Sequence, residues 1–80
     1  MDRGEMLKQI NRIFTDTLDN EDIVITEATT ASDVEEWDSL THIQLVVAVE
    51  KHFKIRFTSR EIQSWANVGE MLGCIQGKGV

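Results

Sequence analysis

Apolar residues recur along this chain at helical spacing in three stretches, separated by segments rich in Asn, Asp, Thr and Ser. Met6, Leu7, Ile10, Ile13, Phe14 and Leu18 follow the i, i+3/i+4 pattern of a core-facing helix over about residues 3 to 18, with Asp2 available near its start. From Leu40 to Phe53 the helical step of about 100° per residue sorts the apolar positions into two lines. Leu45, Val46, Val49 and Phe53 form the line expected to face the core. Leu40, Ile43 and Val47 form the other, flanked by Thr41, Gln44, Ala48 and Lys51. A small domain buries one such line and often leaves the second for a partner. A third stretch, about residues 67 to 76, turns Val68, Met71, Leu72 and Ile75 inward behind Asn67 as cap. Gly69 and Gly73 each weaken that helix by up to about 1 kcal/mol relative to Ala, so its order must come from packing.

The intervening segments are less regular. Residues 19 to 38 offer Ile23, Val24, Ile25 and Val34 as anchors into the core. A loop of about 20 residues is long for a compact domain unless it has a function. Lys54 to Thr58 alternates like a strand, with Ile55 and Phe57 on one side, but has no partner strand and is expected to be an extended connector. Thr58 or Ser59 is placed to cap a short helix at about residues 59 to 65, with Glu61 in its first turn. The tail Gly77-Lys78-Gly79-Val80 is expected to be mobile. The pattern therefore predicts an all-α fold, three main helices plus one short helix with a long first loop, forming a single domain over residues 1–80 with an ordered core at about 3–76.

Charge and composition narrow the function classes. Fourteen Asp and Glu against eight Lys and Arg leave a net charge of −6, which disfavours nucleic acid and anionic membranes and suits a basic partner surface. No apolar run approaches the roughly 20 residues that span a bilayer, and the N-terminus leads into an amphipathic pattern rather than a signal peptide. A cytoplasmic monomer without membrane insertion is expected. Cys74 is the only cysteine, which excludes an intrachain disulfide, and beside Met71, Leu72 and Ile75 it reads as a half-buried structural thiol. His42 and His52, ten positions apart, fit no common metal pair, and the acidic run Asp19, Glu21, Asp22 lacks the glycine of a calcium loop, Val24 standing in its place. No metal site is expected.

The remaining chemistry concentrates at Asp38-Ser39-Leu40. Asp38 is a preferred N-cap type, which makes Ser39 the first helical residue. Unpaired N–H groups and the positive end of the helix dipole favour anions there, so a phosphate esterified to the Ser39 hydroxyl would sit in a compatible field. Asp38, Ser39 and His42 contain the residue types of a hydrolase triad, but they lie within one helical turn and the Gly-x-Ser-x-Gly elbow is absent.

From Trp37 to Ile75 the chain resembles the acyl carrier protein family, including peptidyl and other thioester carriers. The resemblance rests on Asp38-Ser39-Leu40, on Ile43, Leu45, Val46, Ala48, Val49, Glu50 and Phe53, and on Ile55, Phe57, Ile62, Val68, Leu72 and Ile75, with no gap required. It implies a four-helix bundle whose long first loop delivers Ser39 to a helix start. It also implies a 4'-phosphopantetheine arm covalently attached at Ser39, with Asp38 and Leu40 flanking it, and no catalysis by the chain itself. Asp38 would cap the helix and help place a metal-bound phosphate in the complex with the transferase. Implied partners are a phosphopantetheinyl transferase, an acyl- or aminoacyl-loading ligase, and downstream acyl-transfer or condensing enzymes, meeting a surface of Leu40, Ile43, Gln44, Val47 and Lys51. The chain is expected to be a complete, free-standing carrier.

Two departures from the fatty-acid members stand out. Glu36-Trp37 replaces the small residues usual before Asp-Ser-Leu, and Trp37 is expected to pack the loop onto the bundle, with contact to the prosthetic arm as the alternative. The partner face, acidic in those members, offers Thr41, Gln44, Ala48 and Lys51, with Glu50 as its main carboxylate. Both favour a specialised polyketide, peptide, aminoacyl or surface-polymer pathway over housekeeping fatty-acid synthesis. The alternative from another class is a small helical interaction domain that carries no prosthetic group.

Overall fold

Each helix begins at a side-chain cap that satisfies N–H groups the helix cannot pair internally. In the computed structural model, which describes residues 2–80, Asp2 accepts from the Glu5 N–H at 3.0 Å to open α1 (Arg3–Thr17). Met1, included in the expected 1–80 domain, lies outside the described residues. Asp38 opens α2 (Ser39–Phe53), Thr58 opens the short α3 (Ser59–Ser64) and Asn67 opens α4 (Val68–Gly77). Among the described residues there is no strand, and Lys54–Thr58 is a connector as expected. α2 stops at Lys54, which adopts the left-handed conformation (φ 57°), and the N–H groups of Lys54 and Ile55 both return to the Glu50 carbonyl. That conformation costs a non-glycine residue about 1 kcal/mol.

The core forms where the inward lines of three helices meet. Met6, Ile10 and Phe14 of α1, Leu45 and Val49 of α2, and Val68, Met71, Leu72 and Ile75 of α4 are all essentially inaccessible. Phe53 was expected in this line but is only half-buried. It sits at the last residue of α2, where the bundle ends, and the His52 ring meets it edge-on at 4.8 Å.

Residues 19 to 38 are held by polar brackets as well as apolar anchors. Ile23, Ile25 and Val34 insert into the core, but Val24 is 82% exposed. The alternation Ile23-in, Val24-out, Ile25-in is that of extended chain, and Asn11 of α1 holds it there. Its amide donates to the Ile23 carbonyl at 3.2 Å and accepts from the Ile25 N–H at 2.7 Å. Further along, the Val68 and Gly69 N–H groups at the start of α4 donate to the carbonyls of Thr29 and Glu27 at 2.9 and 2.8 Å. A Cβ at Gly69 would stand 3.0 Å from the Glu27 oxygen, a contact so tight that a larger residue would push this backbone back by a few tenths of an ångström. Arg3 joins the same region, pairing with Glu27 at 2.5 Å and donating to the Gly69 carbonyl and the Gln76 side chain. A 3-10 turn at Ala31–Asp33, closed by reciprocal bonds between Thr30 and Asp33, was not expected from the sequence.

The tail also departs from expectation. Lys78 is half-buried, lies over the Phe57 ring at 5.4 Å and pairs with Glu61 at 3.1 Å, while Val80 packs against the core. Glu61 accepts in addition from the Thr58 N–H at 2.8 Å and from the Cys74 thiol at 3.1 Å. The Thr58 N–H first, then Cys74 and Lys78, hold its carboxyl at about 2, well below the usual 4.5. Burial first, and the Glu61 carboxylate second, push the Cys74 thiol up, which suits the structural role expected for it.

Two measurements check this packing. Leu45→Ala should cost about 2 to 5 kcal/mol in chemical denaturation, and Phe53→Ala distinctly less than the 3 to 5 kcal/mol of a fully buried phenylalanine. Because the folded value of Glu61 lies below its unfolded value, its contribution to stability is complete above about pH 4.5 and disappears as pH falls through about 2. Glu61→Gln should therefore flatten the acid limb of the stability profile over that window, read by circular dichroism.

Candidate functional site

The start of α2 is positioned from below by Trp37. Its ring is buried, meets Phe14 of α1 edge-on at a centroid distance of 4.9 Å, and donates its indole N–H to His42 Nδ1 at 3.0 Å. An indole N–H can only donate, so His42 accepts through Nδ1 and carries its proton on Nε2. That nitrogen lies 3.3 Å from the Ile62 carbonyl of α3, to which it donates. One imidazole thus ties the last buried residue of the loop to the short helix opposite. Trp65 stands edge-on to both His42 and Phe57, at 5.9 and 4.8 Å, and closes the same wall.

Above this support the chain turns sharply into α2. Asp38 Oδ1 accepts from the Leu40 and Thr41 N–H groups, each at 2.9 Å. The Thr41 hydroxyl accepts from the Asp38 N–H at 2.8 Å and donates to the Glu36 carbonyl at 2.7 Å. The Thr41 N–H foremost, with that of Leu40, holds the Asp38 carboxyl below the usual carboxylate range. Ser39, the first helical residue, is exposed.

The second apolar line lies open beside it: Leu40 is 69%, Ile43 54% and Val47 41% exposed. Gln44 and Lys51 are exposed on the same helix, so the five residues expected to meet partners all reach the surface. Glu50 does not serve as the main carboxylate of that face. It is half-buried, and its Oε2 accepts from the Phe57 N–H at 2.8 Å to hold the connector. His52 bonds Gln9 of α1 at 2.7 Å, a link between helices. Among the described residues no cluster of three His, Cys, Asp or Glu could hold a metal ion, and no helix is long and apolar enough to cross a membrane.

A cleft of about 550 Å³ opens next to Ser39 between α2 and α3, walled by Trp37, His42, Ile43, Ile62 and Trp65. An exposed hydroxyl at the first turn of a helix, with an amphipathic cleft alongside, fits a flexible group attached through a phosphate ester. The phosphate would meet the positive end of the helix dipole, and the cleft has room for the chain that follows. Sequence reasoning missed Thr41, Ile62 and Trp65 at this site. The Asp-x-x-Thr spacing of a reciprocal cap was there to be read, whereas nothing in the sequence aligns Ile62 or Trp65 with His42.

The profile of a family described as phosphopantetheine attachment site matches residues 8–75. The solution NMR structure of a holo acyl carrier protein from Geobacter metallireducens is similar to this chain at 39% identity, covering 90% of this chain and 83% of that one, with a TM-score of 0.84. A search of curated proteins finds no match. The chain belongs to the phosphopantetheine-attachment family, with the acyl carrier protein fold and 4'-phosphopantetheine as its covalently attached group.

The imidazole link can be tested without any partner. His42→Leu keeps the ring's neighbours apolar but leaves the Trp37 N–H and the Ile62 carbonyl without their bonds. Stability should fall by about 1 to 3 kcal/mol, and the Trp37 indole resonance should shift in an NMR spectrum. An unchanged resonance would show that the two rings do not interact in solution.

Proposed function

We propose that Ser39 is the attachment residue and that the chain carries acyl or aminoacyl intermediates as thioesters in a specialised biosynthetic pathway, without being an enzyme itself. The observation that carries this reading is the exposure of the Ser39 side chain as the first helical residue, between the Asp38 cap and the exposed Leu40. It is the hydroxyl that both the resemblance and the local geometry favour.

Each neighbouring residue has a part in this reading. Asp38 holds the first turn of α2 so that the Ser39 oxygen projects outward, and Trp37 and His42 hold Asp38 at a constant height above the core. When bound, the arm supplies a terminal thiol, and a thioester carbonyl is more electrophilic than that of an ester. The walls formed by Trp37, His42, Ile62 and Trp65 give the arm a surface to rest on between transfers. Leu40, Ile43, Gln44, Val47 and Lys51 supply the contact with a phosphopantetheinyl transferase, a loading ligase and downstream acyl-transfer or condensing enzymes.

Three further features fit this function. The described residues share one hydrophobic core, as a single carrier domain requires. A monomer in the cytoplasm would meet coenzyme A and its transferase directly. The half-buried, bonded state of Glu50 and the buried Trp37 set the chain apart from densely acidic fatty-acid carriers, which supports a specialised pathway.

Loading is read directly by intact mass. With coenzyme A and a broad-specificity transferase, the wild-type chain should gain one phosphopantetheinyl group and Ser39→Ala should gain none. Modification of the alanine variant, or none of the wild type with several competent transferases, would overturn the assignment. Val47→Asp on the open face should change stability by no more than about 0.5 kcal/mol, yet slow transfer to a cognate enzyme. Unfolding of that variant would mean that the face is core.

A further inference from the structure

The cationic side chains of this acidic protein are unevenly placed. Arg3, Arg12 and Lys78 are committed to ion pairs with Glu27, Asp16 and Glu61. Lys51, Lys54, Arg56 and Arg60 all fall within residues 51–60, and between Leu40 and Arg60 the only carboxylate is Glu50. Four cations against one carboxylate give that segment a net charge of +3 in a chain whose total is −6. Glu50 is moreover turned to the Phe57 N–H.

The charge coincides with a shaped surface. Val47, Glu50, Lys51, Lys54, Ile55 and Arg56 line a groove of about 590 Å³ where α2 passes into its connector. The groove continues the open line of Leu40, Ile43 and Val47, and Lys51 follows Val47 by one turn on the same side of the helix. An apolar strip therefore ends in a basic rim.

Lys54 adds an independent observation. It occupies the left-handed position that ends α2, where glycine is the usual residue because it lacks the Cβ penalty. A lysine there gives up stability that glycine would supply. Asp19 adopts the same conformation after α1, so it is the place of Lys54 on the groove rim, together with this cost, that bears on use of its side chain.

We infer that the C-terminal half of α2 and its connector form a docking face for a partner protein whose contact surface is apolar at its centre and acidic around it. The inference rests on the carrier reading, since it names the chemistry of a partner for the same helix. It also reverses, for this face, what the total charge implies. Opposite charges around the apolar seat speed encounter and orient the partner, while a basic partner rim would be repelled at Lys51, Lys54 and Arg56.

The test uses the phosphopantetheine-loaded chain and two synthetic amphipathic helices, one with a leucine stripe flanked by glutamates and a twin with lysines in their place. The glutamate peptide should shift the amide resonances of Val47, Lys51, Lys54 and Arg56, bind at that face about tenfold more tightly than the twin, and weaken as salt rises. The long-range field of a chain of net charge −6 favours the lysine peptide, so a preference for glutamate can only come from the local face. Combining Lys51→Glu, Lys54→Glu and Arg56→Glu should reverse the preference. Lys54→Gly should raise the melting temperature while weakening the glutamate peptide severalfold, a pair of effects that a purely structural lysine would not produce. Equal binding of the two peptides, resonance shifts mapping elsewhere, or a stabilised Lys54→Gly with undiminished binding would overturn the inference. Salt-sensitive self-association through these residues would also overturn it, assigning the face to a second copy. Failure of the wild type to load in the mass assay would sink the carrier reading whatever the peptides do; normal loading with no peptide preference would sink the docking face alone.

Discussion

Burial of the Trp37 ring is the contact on which the geometry of the site depends. A loop that runs from the end of α1 to the start of α2 has many conformations, and its last residue must be pinned before the helix start can point in a fixed direction. The ring edge against Phe14 gives that pin apolar contact, and the bond from its indole N–H to His42 gives it direction. Because His42 continues to the Ile62 carbonyl, the same contact fixes the separation of α2 and α3 and with it the width of the cleft beside Ser39. A serine one residue beyond an unpinned loop would present its hydroxyl in no particular direction.

A chain of this size has little core to spend on holding a long loop. The solution is polar. Asn11 pairs with extended backbone from within a helix, Arg3 of α1 ties Glu27 of the loop to Gly69 and Gln76 of α4, and the first N–H groups of α4 close onto loop carbonyls. Asn20 and Glu36 join the two ends of the loop at 2.6 Å. The bonds from Asn11 and from the α4 N–H groups satisfy loop backbone that would otherwise be taken from water without compensation, and the side-chain pairs of Arg3 with Glu27 and Asn20 with Glu36 tether it, so the loop can lie on the core.

The surface of α2 divides into regions of different character. The start of α2 presents a hydroxyl and a cleft. The middle presents a strip of exposed Leu, Ile and Val. The end presents a basic rim in a protein that is acidic elsewhere. On the carrier reading proposed above, a graded surface along one helix would let partners differ in which part they grip.

The sequence by itself determined the helices, their caps and the division of α2 into a buried and an open line, because these follow from spacing and from side chains acting on their own backbone. Asp38-Ser39-Leu40, together with the apolar frame around it, was likewise legible, and the family with it. What tertiary structure alone decided were the contacts between residues distant in sequence. Trp37 meets Phe14, His42 meets Ile62, Asn11 holds the loop, and Glu61 gathers Cys74 and Lys78 and so orders a tail that composition marked as mobile. Val24 faced outward and Phe53 stayed half-covered for the same reason: hydrophobicity states what gains from burial, but the space available beside each residue is set by which elements arrive there.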